Sequence, residues 1–276
     1  MEIVITANPN SYPESKYDIF CLVFAGEFTM GNSFQDAPDN EKPQRRIQLS
    51  SFCISKYPVT NDQYACFLRE CLGRSPSYWR GYRYDNYLSN HPVDDVSWED
   101  ACRYCDWLSN KTEKKVLLPT EAQWEKAARG EDKREFPWGN QRPDFGRVNF
   151  ANNENGSTPV DLYPKGVSPY GCWDMAGNVN EWTRDYYADD WLSKMPLMNP
   201  VNLTPIDNPI GMLRTTRGGH WSYGSQNLTT TTRWGIQPSA GAGFRCVYEM
   251  TDNYKMESPL EKHKKAVQDY FTLCGI

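Results

Sequence analysis

Before residue 251 only three stretches of this chain carry the start signals of an α-helix, and most of the rest is cut at short intervals by glycine, proline and asparagine. A chain punctuated in this way cannot fold as a helical bundle or a regular α/β repeat. It has to be rich in loops. The helical stretches are "TNDQYACFLREC" from Thr60, "SWEDACRYCDWLSNK" from Ser97 and "TEAQWEKAARG" from Thr120. Each opens on a hydroxyl able to accept from the first free backbone N–H groups. Gln63 and Gln123 stand three residues after Thr60 and Thr120, where a capping box needs them, and the third stretch stops before Gly130. In the second, Ala101, Tyr104, Cys105 and Leu108 recur at intervals of three and four, which predicts a buried face. Strands are expected to be short, within "CLVFAGEFTMG", "RRIQLSSFCISKYPV", "LRTTRGGHW" and "GFRCVYEM". Two long segments, 142–163 and 188–210, fit no regular element; loops of that length are functional or tied down.

Loops on this scale need something to pack against, and a 14% aromatic content with 10 Trp, 17 Tyr and 11 Phe supplies it. The 276 residues suffice for one large core or two small ones. A net charge of -5 without a basic stripe excludes a nucleic-acid footprint. No apolar run approaches the roughly 20 residues of a membrane span. The opening "MEIVITANPNSYPESKYD" lacks the basic and apolar regions of a signal peptide. Nine cysteines, an odd number at irregular spacing, suit free thiols in a reducing compartment, so a cytoplasmic location is expected. Cys102 and Cys105 have no second pair at zinc spacing and read as structural. The expected organisation is an N-terminal extension over 1–18, one domain over 19–250 and an amphipathic helix over 251–276. In that helix Leu260, Val267, Phe271 and Cys274 form an apolar seam, for its own domain or for a partner.

Eight landmarks follow one another along the domain. They are "GEFTMG" (26–31), "FCISKYPVTNDQYACF" (52–67), "HPVDDVSWEDACRYCDWL" (91–108), "LLPTEAQWEKAARG" (117–130), "FPWGN" (136–140), "YGCWDMAGNVNEWTRDYY" (170–187), then "RGG" and "GFR". In this order they resemble the formylglycine-generating-enzyme (sulfatase-modifying factor) superfamily. The resemblance implies an α+β, C-type-lectin-like fold: loop-rich, with small twisted mixed sheets flanked by helices. Trp98, Trp107, Trp124, Trp138 and Trp182 would plug such a fold. The resemblance also implies a structural calcium in "DMAGNVNE", held by Asp174, Gly177, Val179 and Glu181, with Asn178 bracing the turn. A second calcium of the family, after Asn149, is not expected, because "NFANNENGSTPVD" is short.

Catalytic members of the superfamily bind copper(I) through two cysteines after "RGG", since soft thiolates suit that ion. Counted from Arg217 those positions are Tyr223 and Leu228; counted back from Arg233 they are His220 and Ser225. No cysteine occurs between Arg217 and Arg245, and the tryptophan beside the family's active site is Asn180 here. The copper site is therefore absent. Three histidines, His91, His220 and His263, with no extra helical domain, do not make the iron site of the family's sulfoxide synthases. Catalytic residues are accordingly assigned to none.

What the 217–245 segment does offer is recognition chemistry. Trp221, Tyr223 and Trp234 are rigid aromatic anchors, and Gln226, Asn227 and Gln237 are adaptable hydrogen-bonding groups. Arg233 is a fork for a carboxylate, while His220 and Asn180 sit beside them. Acid–base work by His220 needs a carboxylate, and the segment contains none; Asp185, Asp189 and Asp190 are the candidates elsewhere. The expectation is a non-catalytic module binding a protein, peptide or small molecule. The alternatives are an oxidoreductase or other enzyme with a non-standard site, and a variable protein of a diversity-generating retroelement.

Overall fold

The computed structural model describes residues 1–4, 16–205 and 212–250, so the helix expected over 251–276 lies outside the described residues. In chain order the elements are β1 (Glu2–Val4), β2 (Ile19–Val23), β3 (Gly26–Met30), β4 (Arg45–Leu49), β5 (Phe52–Ser55), α1 (Asn61–Glu70) and α2 (Trp98–Thr112). There follow β6 (Val116–Leu117), α3 (Glu121–Arg129), β7 (Glu181–Tyr186), α4 (Trp191–Lys194), β8 (Arg214–Arg217), β9 (Arg233–Ile236), β10 (Gly243–Phe244) and β11 (Val247–Glu249). A five-stranded antiparallel sheet runs β1-β2-β5-β11-β6. A four-stranded sheet runs β10-β7-β8-β9, mixed because β10 is parallel to β7, and β3 pairs with β4 alone. This is the α+β arrangement of small mixed sheets that the landmarks imply.

The three long helices begin where the caps place them. Thr60 with Gln63 and Thr120 with Gln123 close full capping boxes, and the Ser97 hydroxyl accepts from Asp100 N. Gly130 ends α3 at φ 73°, a left-handed angle that a side chain rarely adopts.

The larger sheet is covered on both faces, which is why its strands read as apolar runs rather than alternations. Phe20 and Leu22 of β2, with Cys53, Val116 and Tyr248, pack on one face against Tyr64, Phe67, Tyr104, Cys105 and Leu108 of α1 and α2. Cys21 and Val23, with Phe52, Ile54 and Val247, pack on the other face against Ala122, Trp124, Ala127 and Ala128 of α3. Buried tryptophans satisfy their N–H groups: Trp182 Nε1 donates to Val96 O and Trp124 Nε1 to Glu181 Oε2, each at 2.8 Å.

Two features depart from the sequence reading. The stretch before residue 19 is not wholly an extension, because β1 adds an edge strand to β2 with Ile3 opposite Phe20. Tyr17 is also buried, edge-on to Tyr57. The 188–210 stretch contains α4, whose Trp191 and Leu192 enter the core. Among the described residues no helix is long and apolar enough to cross a membrane.

Candidate ligand-binding site

The 217–245 segment hangs from three buried arginines. Arg217 reaches Glu121 Oε1 at 3.2 Å and Glu125 Oε2 at 2.6 Å, and also donates to the carbonyls of Thr230 and Thr231. Arg233 grips Glu121 with two parallel bonds of 2.6 and 2.8 Å. Arg245 does the same to Glu181 at 2.6 and 2.7 Å. Glu121 and Glu125 lie one turn apart on α3, so a single helix face anchors both the start and the middle of the segment. Burial pushes the Glu121 carboxyl up, but Arg233 and Arg217 outweigh it and hold Glu121 below its ordinary value.

This corrects the reading of Arg233 as a fork for a ligand. It is 2% exposed and committed to Glu121, so it belongs to the scaffold.

The outward residues fall into two groups. At one end, His220 lies between Trp221 and Tyr223, with ring centroids 4.8 and 5.6 Å away. Asn180 Nδ2 is 3.5 Å from the Tyr223 hydroxyl, and Asn180 Oδ1 is buried without a donor among the described residues. At the other end, Gln226, Asn227 and Trp234 line an open cleft of about 480 Å³ together with the 32–41 loop and Glu135. Gln237 is exposed beyond β9 and is not among the residues lining that cleft.

His220 does have a carboxylate, from a place the sequence did not suggest. Its Nε2 is 3.2 Å from Asp94 Oδ2, and its Nδ1 is 2.8 Å from Ser222 Oγ. In the tautomer protonated at Nε2, Asp94 accepts from Nε2 and the Nδ1 lone pair is shared by the Ser222 hydroxyl and Ser222 N, the order of groups in a serine–histidine–aspartate relay. The turn, however, offers an oxyanion nothing. Trp221 N donates to Asn178 O, Ser222 N to His220 Nδ1 and Tyr223 N to His220 O, so its three N–H groups are all engaged.

None of the three carboxylates proposed for His220 takes that role. Asp190 pairs with Lys194 and Asp189 accepts from the Tyr187 hydroxyl. Asp185 is buried, accepting from Asn202 N and Glu121 N at 2.8 Å each. Burial and the nearby Glu121 push Asp185 up to about 7 against those two bonds. Between its ordinary value and about 7, the folded chain then holds a proton that the unfolded chain has released. Its contribution to stability is present at about pH 4 and is lost as pH rises towards 7. The urea midpoint is expected to show this fall, and Asp185→Asn to reduce it, leaving the part due to Asp174, which burial likewise raises to about 7.

The turn matched to the calcium site is built around Asn178. This residue is fully buried at φ 61°, accepts from Thr158 N at 2.9 Å, and donates to Thr158 O at 3.0 Å and Asp174 Oδ2 at 2.9 Å. It therefore braces the turn as expected. Gly177 is at φ 66°, and a Cβ there would sit 2.3 Å from Asn149 O, so only glycine fits. The Asp174 carboxylate and the carbonyls of Gly177 and Val179 are oxygen donors of the kind a hard cation takes. Glu181 does not fit that set: Arg245 holds both its oxygens, and Trp124 donates to one of them.

Comparison with known proteins agrees with this architecture. Residues 6–250 match the sulfatase-modifying factor enzyme 1-like domain. The chain is 30% identical over 302 residues to a formylglycine-generating enzyme of Thermomonospora curvata, covering 86% of this chain and 96% of that one. It is 33% identical over 249 residues to the serine/threonine-protein kinase Pkn1 of Chlamydia trachomatis. That match takes in 83% of this chain but only 38% of the kinase's length. The structure of PvdO from Pseudomonas aeruginosa superposes with a TM-score of 0.69 at 24% identity, over 84% of this chain and 94% of PvdO. The chain belongs to the formylglycine-generating-enzyme (sulfatase-modifying factor) family.

Proposed function

We propose that this chain is a non-catalytic binding module of that family, with the 217–245 segment as its recognition surface for a protein, peptide or small molecule. One observation carries the reading: the segment is clamped from behind by buried ion pairs, while Tyr223, Gln226, Trp234 and Gln237 are exposed on it. Tyr223 is 37% exposed and Trp234 43%. A surface held rigid in this way gives up little entropy on binding. A calcium ion held by Asp174, Gly177 and Val179 would lock the loop beneath it, so chelation should lower the melting temperature and Asp174→Ala should remove that response.

Panning a peptide library against the full chain tests the binding role. Enriched peptides should lose about tenfold or more in affinity with Tyr223→Ala or Trp234→Ala, as anchors at a binding centre do. Peptides indifferent to both changes would sink the reading. A second reading, an enzyme of the family with a non-standard site, is favoured by the His220–Asp94 pair. Its signature would be turnover of an activated ester or a thiol substrate that is lost in Asp94→Asn.

A further inference from the structure

The end of α1 and the loop that follows it collect four exposed arginines, Arg69, Arg74, Arg80 and Arg83, on a chain whose net charge is -5. Among the described residues no carboxylate pairs with any of them. The acidic residues around them are engaged elsewhere. Asp62 accepts from the Tyr84 hydroxyl, Glu70 pairs with Lys111 at 2.6 Å, and Asp95 accepts from Ser77 N at 2.7 Å. That leaves the exposed Asp85 to set against four guanidinium groups.

Two of the arginines are held opposite one another. Arg80 N donates to Arg83 O at 2.7 Å and Arg83 N to Arg80 O at 3.3 Å, which closes a two-residue turn over Gly81 and Tyr82. Gly81 supplies the turn's positive φ of 65°. Directly paired residues present their side chains on one face of a ribbon, where like charges are destabilising. Arg69 has a structural reason to be cationic, because it stands in the last turn of α1 beside the helix's free carbonyls. Among the described residues nothing offsets the Arg80–Arg83 pair in this way.

Arg83 and Arg69 line one open cleft of about 560 Å³, together with Tyr82, Tyr84, Leu68 and Asp62. Tyr82 is 60% exposed at the tip of the turn. Its hydroxyl donates to Gly73 O at 3.4 Å, beside Leu72, which is 85% exposed. Arginine and tyrosine are the residues that interfaces between proteins favour. A basic ligand would add to the repulsion here, and a purely apolar one would bury charge without a partner. A nucleic-acid backbone needs cations along its length, and Asp62 and Asp85 interrupt them. Carboxylates on a peptide would bridge the arginines by charge-assisted bonds, while Tyr82 and Leu72 cover its apolar side chains.

We infer that the end of α1 and the 80–83 hairpin form a recognition surface of their own, for an acidic segment of a protein partner. Arg80, Arg83 and Arg69 hold its carboxylates, and the planar guanidinium fork suits that group better than an ammonium would. The inference does not depend on the 217–245 segment.

The test is calorimetric titration of the full chain with blocked peptides that alternate leucine with glutamate, glutamine or lysine, and with a short oligothymidylate. The glutamate peptide is expected to bind about tenfold tighter than the other three probes. That binding should weaken with added salt and fall about fivefold or more in Arg80→Gln/Arg83→Gln. It should be unchanged in Arg46→Gln, an exposed arginine on β4. The hairpin substitutions should also leave the urea midpoint unchanged or raise it, because they remove opposed like charges.

Equal binding of the glutamine or lysine peptide overturns the inference. So does the absence of glutamate-peptide binding, tighter binding of the oligothymidylate, or an equal loss in Arg46→Gln. A lowered urea midpoint in Arg80→Gln/Arg83→Gln would make the pair part of the scaffold and overturn it too. Trp234→Ala should leave the glutamate peptide's affinity unchanged. A loss there would move this ligand to the 217–245 segment and end the inference, without touching the binding role of that segment.

Discussion

Replacing Glu121 by alanine is expected to cost about 3–5 kcal/mol of folding stability, the range for removing one partner of a buried ion pair. Glu121 holds Arg233 by two bonds and Arg217 by one, and the side chains of all three are fully buried. Arg217 would keep Glu125, but Arg233 would keep the carbonyls of Asn40 and Ala188 and the face of Tyr187, with no carboxylate bonded to its desolvated charge. Urea denaturation of Glu121→Ala beside Glu135→Gln makes the comparison clean. Glu135 is exposed without an ion pair among the described residues, so its change should stay within about 0.5 kcal/mol. A loss below about 1 kcal/mol for Glu121→Ala would mean that the arginines do not hold the segment in place.

Asn178→Ala is expected to be nearly as damaging, at about 3–5 kcal/mol. Three hydrogen bonds of 3.0 Å or less disappear at once, with two longer ones to Asn178 Oδ1 from Asn149 Nδ2 and Thr158 Oγ1. Thr158 is left with an unmet N–H and an unmet carbonyl in a buried turn, each worth about 1–3 kcal/mol. Alanine also tolerates φ 61° less well than asparagine. The damage should extend to the outward side of the 217–245 segment, because Asn178 O receives the N–H of Trp221. Near-ultraviolet circular dichroism, which reports the tryptophan environment, should therefore change along with the denaturation midpoint. A variant with unchanged stability would show that the turn is held by something other than its asparagine.

The parts of this fold that were legible in the sequence are those whose chemistry is local. Thr60, Ser97 and Thr120 announce three helices because a cap acts on N–H groups two or three residues away. The buried face of α2 is legible because helical spacing repeats within the element. β1, β6 and β10 have three, two and two residues, too few to show a period, and they exist only because neighbouring strands pair with them.

The site divides along the same line. The aromatic and amide residues of the 217–245 segment stand out by residue type alone, and of these Tyr223, Gln226, Trp234 and Gln237 are exposed. The segment's scaffold does not stand out in this way. Arg233 reads as a free fork until Glu121, 112 residues earlier, is found against it, and Glu181 reads as a calcium ligand until Arg245 closes it. The carboxylate beside His220 is likewise missed because Asp94 lies 126 residues away. The family landmark "HPVDD" contains Asp94 and carries the only signal that could have pointed to it.

The most direct test of a recognition role rather than copper chemistry is an anaerobic copper(I) titration of the reduced chain, with metal analysis beside it. The account predicts calcium in the preparation, no stoichiometric copper, and no oxygen uptake with thiol substrates. One tightly bound copper per chain, lost on His220→Ala, would contradict it and make the outward face of the 217–245 segment an active site.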